Sequence, residues 1–152
     1  MLTEEAAWSC TTCGYCIEVC PVGNEPMVDI LRIRQDLVMM ESKFPQDAVE
    51  SFEKIENYGN PWGLSPQERE NWMEGRDVPL MRDKTEADVL YWAGCSGAYD
   101  SRGKEISQAV VDVMNKAGID YASLGNEETC TGDSARRIGN EYLFQTMAEK
   151  NK

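Results

Sequence analysis

Four of the six cysteines fall in one short run, Cys10-Thr-Thr-Cys-Gly-Tyr-Cys-Ile-Glu-Val-Cys-Pro21. The spacing is C-x₂-C-x₂-C-x₃-C-P, the run of thiolates that supplies ligands to a cubane [4Fe–4S] cluster. Iron–sulfur cores select soft thiolate ligands, and three of them at three-residue spacing on a tight loop can converge on three corners of one cube. Gly14 lets the loop pass close to inorganic sulfide, where a Cβ would collide. Pro21 turns the chain away and removes an N–H that would need a partner. Cys10, Cys13, Cys16 and Cys20 are therefore the candidate metal ligands, and handling electrons is the chemistry they offer.

Two other uses of four cysteines compete. One is a tetrahedral zinc site, although structural zinc sites usually bring two separated pairs. The other is disulfide bonding. Leu2 to Trp8, however, is polar and acidic, with neither the basic nor the apolar segment of a secretory signal. Thiols in a chain without an export signal are expected to stay reduced, which favours metal over disulfide and a cytoplasmic location.

Charge narrows the partners. The chain has 152 residues, 41% hydrophobic and 28% charged, and a net charge of −12 from 27 acidic and 15 basic residues. Nucleic acid and anionic membrane surfaces both call for clustered Lys and Arg, so neither is expected as a partner. A solvated acidic surface accounts for the charge, and so does steering toward a basic patch on a redox partner. The absence of histidine excludes Ser-His-Asp and Cys-His catalysis within this chain, as well as histidine-ligated haem. No apolar stretch approaches the length of a bilayer span; Val89 to Ala93 is the densest.

The elements that must position the cysteines fall into two parts. Residues 1–80 read as helical around the cysteine loop. One helix starts at Pro26 with Asn24 as N-cap, and Ile30, Ile33, Leu37 and Met40 form its apolar stripe. A second runs from Pro45 to Gly59 and buries Ala48, Phe52 and Ile55. Ser65-Pro-Gln-Glu68 reads as a capping box opening a third helix that ends near Met73. Residues 81–152 alternate. Asp88–Ala93 reads as a buried strand and Gly103–Ala117 as a helix with Ile106, Ala109, Val110, Val113, Met114 and Ala117 on one face. Ile119–Leu124 reads as a second strand and Ser134–Glu149 as a last helix. The order is β-α-β-α, the start of a parallel sheet. Two strands do not make a stable parallel sheet, so the chain is expected to be part of a longer polypeptide.

The remaining cysteines sit at matching places in that second part. Cys95 ends the first strand within Gly94-Cys-Ser-Gly97, and Cys130 follows the second strand just before a helix. Both therefore lie at the carboxyl edge of the sheet, where open α/β sheets hold their ligands. The following helix presents its N-terminus to that edge, which favours a thiolate. Buried, inert thiols are the alternative use of the pair.

Cys95 and Cys130 form a C-x₃₄-C pair whose second member opens a turn and a helix. Joined to the upstream cysteine run, this resembles the cysteine-rich CCG domain of heterodisulfide reductase-type Fe–S oxidoreductases. That group includes the iron–sulfur subunits of glycerol-3-phosphate dehydrogenase and glycolate oxidase. Glu127-Glu-Thr-Cys-Thr-Gly-Asp-Ser-Ala-Arg-Arg-Ile-Gly-Asn-Glu-Tyr-Leu-Phe-Gln145 is most similar to the branch associated with electron-transfer flavoprotein. The resemblance covers nearly the whole chain and implies an α+β fold. Residues 1–80 would be a helical ferredoxin-type [4Fe–4S] segment, and residues 81–152 the first part of a CCG α/β domain. It further implies that Cys95 and Cys130 bind a cofactor, that a flavoprotein donates electrons, and that a quinone or a second Fe–S site accepts them.

The chain departs from the family pattern in three ways. Thr131 stands where the pattern has a second cysteine beside Cys130. The closing C-x-x-C would lie beyond Lys152. One ferredoxin motif is present where family members carry two. In two-motif ferredoxins the fourth cysteine of each run ligates the other cluster. That rule gives Cys10, Cys13 and Cys16 to one cluster and Cys20 to a second, whose other ligands lie outside this chain. The leading expectation is an electron-transfer module with one [4Fe–4S] cluster. The alternatives are the iron–sulfur subunit of a glycerol-3-phosphate or glycolate dehydrogenase, and a non-catalytic protein braced by its metal.

Overall fold

The computed structural model describes residues 3–152; Leu2, where the segment read for an export signal begins, lies outside them. Short helices flank the cysteine loop. Helix α1 (Glu4–Ser9) is capped by Thr3, whose Oγ1 accepts from the Ala6 N–H, and α2 (Tyr15–Glu18) is a single turn opened by Gly14. Helix α3 (Pro26–Met39) begins on Pro26, where a missing N–H leaves no bond unmade. Its N-cap is Glu25, not Asn24, and no side chain caps it. Its buried face also shifts. Leu37 is buried as expected, but Ile33 and Met40 are exposed, and Arg34 and Val38 face inward instead. Arg34 lies one helical turn from Ile30 and from Leu37, so a cation sits at the centre of the buried face. Helix α4 (Gln46–Tyr58) follows its pattern, burying Ala48, Phe52 and Ile55 and stopping at Gly59 in the left-handed conformation. Residues Pro66–Met73 form a 3₁₀ helix and not a capped α-helix, and the Ser65 hydroxyl bonds to the Gln67 side chain and not to the backbone. Arg69 and Trp72, three residues apart and so eclipsed in this helix, are its buried residues.

The second part contains a small parallel sheet. Strand β1 (Val89–Tyr91) pairs with β2 (Tyr121–Ser123), Val89 opposite Tyr121 and Tyr91 opposite Ser123. Ser123 also bridges to Leu80, its N–H reaching the Pro79 carbonyl at 2.9 Å. Helices α5 (Gly94–Tyr99) and α6 (Ser101–Ala117) connect the strands, and α7 (Asp133–Ile138) and α8 (Glu141–Lys150) follow β2. The molecule is thus mostly helical around a two-stranded sheet.

Three local expectations change. Strand β1 is shorter than the apolar run and is not buried: Val89 and Leu90 are 42% and 51% exposed. Only β2 pairs with it among the described residues, and of its side chains Tyr91 is partly covered, packing edge-on against Trp72, while Val89 and Leu90 face outward. Helix α6 starts at Ser101, with Asp100 accepting from the Gly103 N–H, and it buries Ser107, Val111 and Met114 while Ile106, Val110 and Val113 are exposed. Close approach explains that rotation. A Cβ on Gly103 would collide with the Ser96 carbonyl oxygen, and one on Gly97 would sit 2.5 Å from the Ser107 hydroxyl. The side of α6 with small residues therefore faces α5, and the more apolar side faces outward. The last helix is broken in two, since Gly139 at φ +104° ends α7 and Asn140 caps α8 by accepting from the Leu143 N–H.

Two clusters form the core. One joins α4 to the last helices through Ala48, Phe52, Ile55, Cys130, Ala135, Leu143 and Met147. The other gathers Trp72, Ala98, Tyr99, Val111, Met114 and Tyr121. Cys95 packs against both. Each cluster draws residues from either side of residue 80; the cysteine loop contributes to neither and is joined to this body through Arg34, which bonds to the Ala7, Cys10 and Arg137 carbonyls.

Candidate metal and thiol sites

The cysteine loop lies at the surface. Cys10 follows α1, Cys13 stands on the loop, Cys16 lies in α2 and Cys20 follows it; Cys13 and Cys16 are exposed. Among the described residues no three cysteine or carboxylate side chains converge on a single metal position. The donor set nevertheless fits an iron–sulfur core. All four donors are soft sulfur, and backbone N–H groups already point at two of them, Thr12 to Cys10 Sγ at 3.4 Å and Asn24 to Cys20 Sγ at 3.2 Å. The Cys13 thiol is held below its ordinary pKa, first by the Tyr15 N–H and then by the Thr11 side chain. Amide hydrogen bonds to sulfur stabilise the anionic form that ligation needs. Gly14 has φ +78° with open space where a Cβ would lie, so its requirement here is the left-handed turn.

Cys95 and Cys130 meet at the carboxyl edge of the sheet, as their strand-end positions imply. Glu128 ties the two strand ends together: Oε1 accepts from the Gly94 N–H at 2.8 Å and Oε2 from the Ala93 N–H at 3.2 Å. Oε1 also accepts from Arg69 Nη1 at 2.8 Å. Arg69 Nη2 donates to the Gly59 carbonyl at 3.2 Å and to Cys95 Sγ at 3.4 Å, and the guanidinium lies 5.1 Å from the Tyr99 ring centroid. The Gly59 carbonyl accepts in addition from the Cys130 N–H at 2.8 Å, so the end of α4 anchors both cysteines.

The two thiols differ in acidity. The neighbouring Cys130, then burial, pushes Cys95 up, and Cys95 Sγ donates to the Gly59 carbonyl at 3.7 Å. The neighbouring Cys95 lowers Cys130 to about 6 against the cost of burial, with help from the Gly132 N–H at 3.4 Å and the charge of Arg69. Cys130 is therefore the more acidic member of the pair. Thr131 is exposed and its hydroxyl accepts from the Asp133 N–H, so it adds no donor to the pair. Burial raises Glu128, while Arg69 and the Gly94 and Ala93 amides act against it.

Reading the sequence by apolar spacing passed over three residues that hold these sites, Arg34, Arg69 and Glu128. The available signal was a charged residue standing in register with buried neighbours: Arg34 between Ile30 and Leu37, and Arg69 three residues before Trp72. Arg136 and Arg137 occupy the last turn of α7, not the first turn of a longer helix. Arg137 bonds to Asp133 at 2.7 Å and to the Thr12 hydroxyl at 3.0 Å, and Arg136 lies 4.8 Å from the Phe144 ring centroid.

Comparison with known proteins adds the family. Residues 89–152, from β1 through Cys95 and Cys130 to the end of the chain, match the family described as CCG, Cysteine-rich domain. Residues 89–152 belong to the CCG cysteine-rich domain family. The chain is 42% identical over 99% of its length to the probable iron-sulfur-binding oxidoreductase FadF of Bacillus subtilis, covering 22% of that protein. It is 41% identical over 97% of its length to the EtfAB:quinone oxidoreductase of Syntrophomonas wolfei, covering 21%. It is 32% identical over 92% of its length to one component of the dihydromethanophenazine:CoB–CoM heterodisulfide reductase of Methanosarcina barkeri, covering 33% of that component. The chain thus spans about one fifth of the length of the first two relatives, and its similarity to them takes in both the cysteine loop and the CCG domain. No solved structure gives a significant match. No helix among the described residues is long and apolar enough to cross a membrane.

Proposed function

We propose that this chain is an electron-transfer module of a heterodisulfide reductase-like iron–sulfur oxidoreductase. In this reading it takes electrons from a flavoprotein, most directly an electron-transfer flavoprotein, and passes them toward a quinone or a second Fe–S site. The observation that carries the reading is the pairing of an uninterrupted C-x₂-C-x₂-C-x₃-C-P loop with a CCG domain in one chain, the loop fastened to α7 by the carbonyl bonds of Arg34. Cys10, Cys13 and Cys16 hold one [4Fe–4S] cluster in a ferredoxin-type segment covering residues 1–80, and Cys20 serves a second cluster completed by ligands outside this chain. When bound, the cluster supplies one-electron chemistry. The chain's own part is to position and expose it.

Several features of the residues support this assignment. The Thr12 and Asn24 amides donate to the Cys10 and Cys20 sulfurs. Cys13 and Cys16 lie at the surface among the exposed apolar residues Tyr15, Val19 and Val22, a face suited to close contact with a redox partner. Cys95 and Cys130, in residues 81–152, form the first half of a second cofactor site on the CCG domain, with Arg69 supplying positive charge to the thiolates. The net charge of −12 suits a partner with a basic docking patch. The protein works in the cytoplasm, meeting the membrane through other parts of a longer polypeptide.

Rapid mixing of the whole anaerobic protein with reduced electron-transfer flavoprotein tests this function. Cluster bleaching faster than in a flavoprotein-free control, and slowing as salt rises, is the expected result. Bleaching no faster than the control would refute the flavoprotein donor.

A further inference from the structure

Arg34 is 5% exposed at the middle of α3, yet all its hydrogen bonds go to backbone carbonyls. Nε and Nη2 donate to the Ala7 oxygen at 2.9 and 2.6 Å, and Nη2 also donates to the Cys10 oxygen at 2.5 Å. Nη1 donates to the Arg137 oxygen at 2.7 Å. The guanidinium lies 5.3 Å from the centroid of the Trp8 ring. No carboxylate among the described residues pairs with it, whereas the other buried arginine, Arg69, has Glu128. Carbonyl oxygens satisfy its donors but bring no negative charge, and a buried cation without a counter-charge is unfavourable. Burial lowers the Arg34 pKa, and the group acting in the opposite sense is Cys10.

We infer that Arg34 is the built-in counter-charge of a cluster held at Cys10, raising its reduction potential while fastening the cysteine loop to the CCG domain. The inference rests on the cluster reading of the cysteine loop. A cluster ligated by thiolates is anionic, and one-electron reduction adds a further negative charge, so a fixed nearby cation favours the reduced form. The geometry holds that cation in place. Its fork spans α1, the loop at Cys10 and the end of α7. At the α3–α7 contact a Cβ on Gly139 would sit 2.5 Å from the Arg34 carbonyl carbon and oxygen. Lysine can supply the charge but not the fork.

Redox titration of the anaerobically purified protein, followed by paramagnetic resonance, separates charge from fastening, with iron and sulfide content measured first in every sample. Arg34→Met should lower the reduction equilibrium constant by about tenfold, or 59 mV for one electron, while Arg34→Lys keeps most of the wild-type value. A cluster-bearing Arg34→Met protein whose equilibrium stays within about twofold of wild type overturns the inference. So does a fall in Arg34→Lys equal to that in Arg34→Met. If Arg34→Met assembles no cluster, Arg34→Lys decides. Recovery of the cluster with lysine supports the charge role, and loss in both variants shows that only the carbonyl bonds matter and overturns it. Wild-type protein without iron and sulfide would instead defeat the cluster reading, a result distinct from any of these.

Discussion

Arg69 Nη1 lies 2.8 Å from Glu128 Oε1, with the two side chains 2% and 1% exposed. The two residues are separated by 59 positions, and their pairing joins the 3₁₀ helix to the carboxyl edge of the sheet. Because Glu128 also accepts from Gly94 and Ala93, and Arg69 also donates to Cys95, the pair fixes the spacing between the two cysteine-bearing loops.

Breaking that pair should destabilise the fold. Glu128→Ala leaves a buried guanidinium without its partner, a loss of about 3–5 kcal/mol, and the thermal midpoint should fall by roughly 10 °C. Circular dichroism melting of the metal-free protein measures it. A change below about 2 °C would mean that the pair contributes little.

The coupling between Cys95 and Cys130 should be visible in the titration of metal-free protein. Cys130 should ionise with a midpoint at about 6, and Cys95→Ala should move that midpoint up toward the ordinary thiol value of 9.0. The linkage has a defined sign. Between these values the unfolded chain holds a proton at Cys130 that the folded chain does not, so stability rises with pH. The contribution is lost as pH falls through about 6. Cys95 stays protonated past 9.0 in the folded protein, so the gain ends there. Ultraviolet thiolate absorbance and urea unfolding across this range check both statements; stability that falls from pH 6 to 9 would refute them.

Much of this arrangement was legible in the sequence, for reasons that differ by residue. The cysteine loop stands out in the sequence because ligand chemistry dictates such spacing, whereas the structure shows only its placement at the surface. Helix α4 was legible because Ala48, Phe52 and Ile55 repeat at helical spacing before a glycine stop. The meeting of Cys95 and Cys130 followed from parallel-sheet geometry, which places successive strand ends on one edge. The buried faces of α3 and α6 were misread for a shared physical reason. Hydropathy assumes that apolar residues turn inward, but Arg34 is buried to bind carbonyls, and Ser107 and Gly103 are turned inward because α5 comes too close for larger side chains. The register of Arg69 with Trp72 hints at its burial, but its pairing with Glu128 had no local sequence signal, since the two residues meet only in the folded chain.

Gly139 should tolerate no side chain. Its φ of +104° and its approach to the Arg34 backbone leave a Cβ neither conformation nor space. Gly139→Ala should cost about 2 kcal/mol or more and loosen α7 from α3. Urea unfolding reads the loss, and an unchanged midpoint would contradict the close α3–α7 contact.

The central claim is that the loop from Cys10 to Cys20 holds an iron–sulfur cluster. Iron, acid-labile sulfide and zinc analysis of anaerobically purified protein tests it most directly. The account predicts brown protein with about four iron and four sulfide for a cluster bound in this loop, lost in Cys10→Ser, Cys13→Ser and Cys16→Ser. Colourless protein carrying stoichiometric zinc and no sulfide would contradict it.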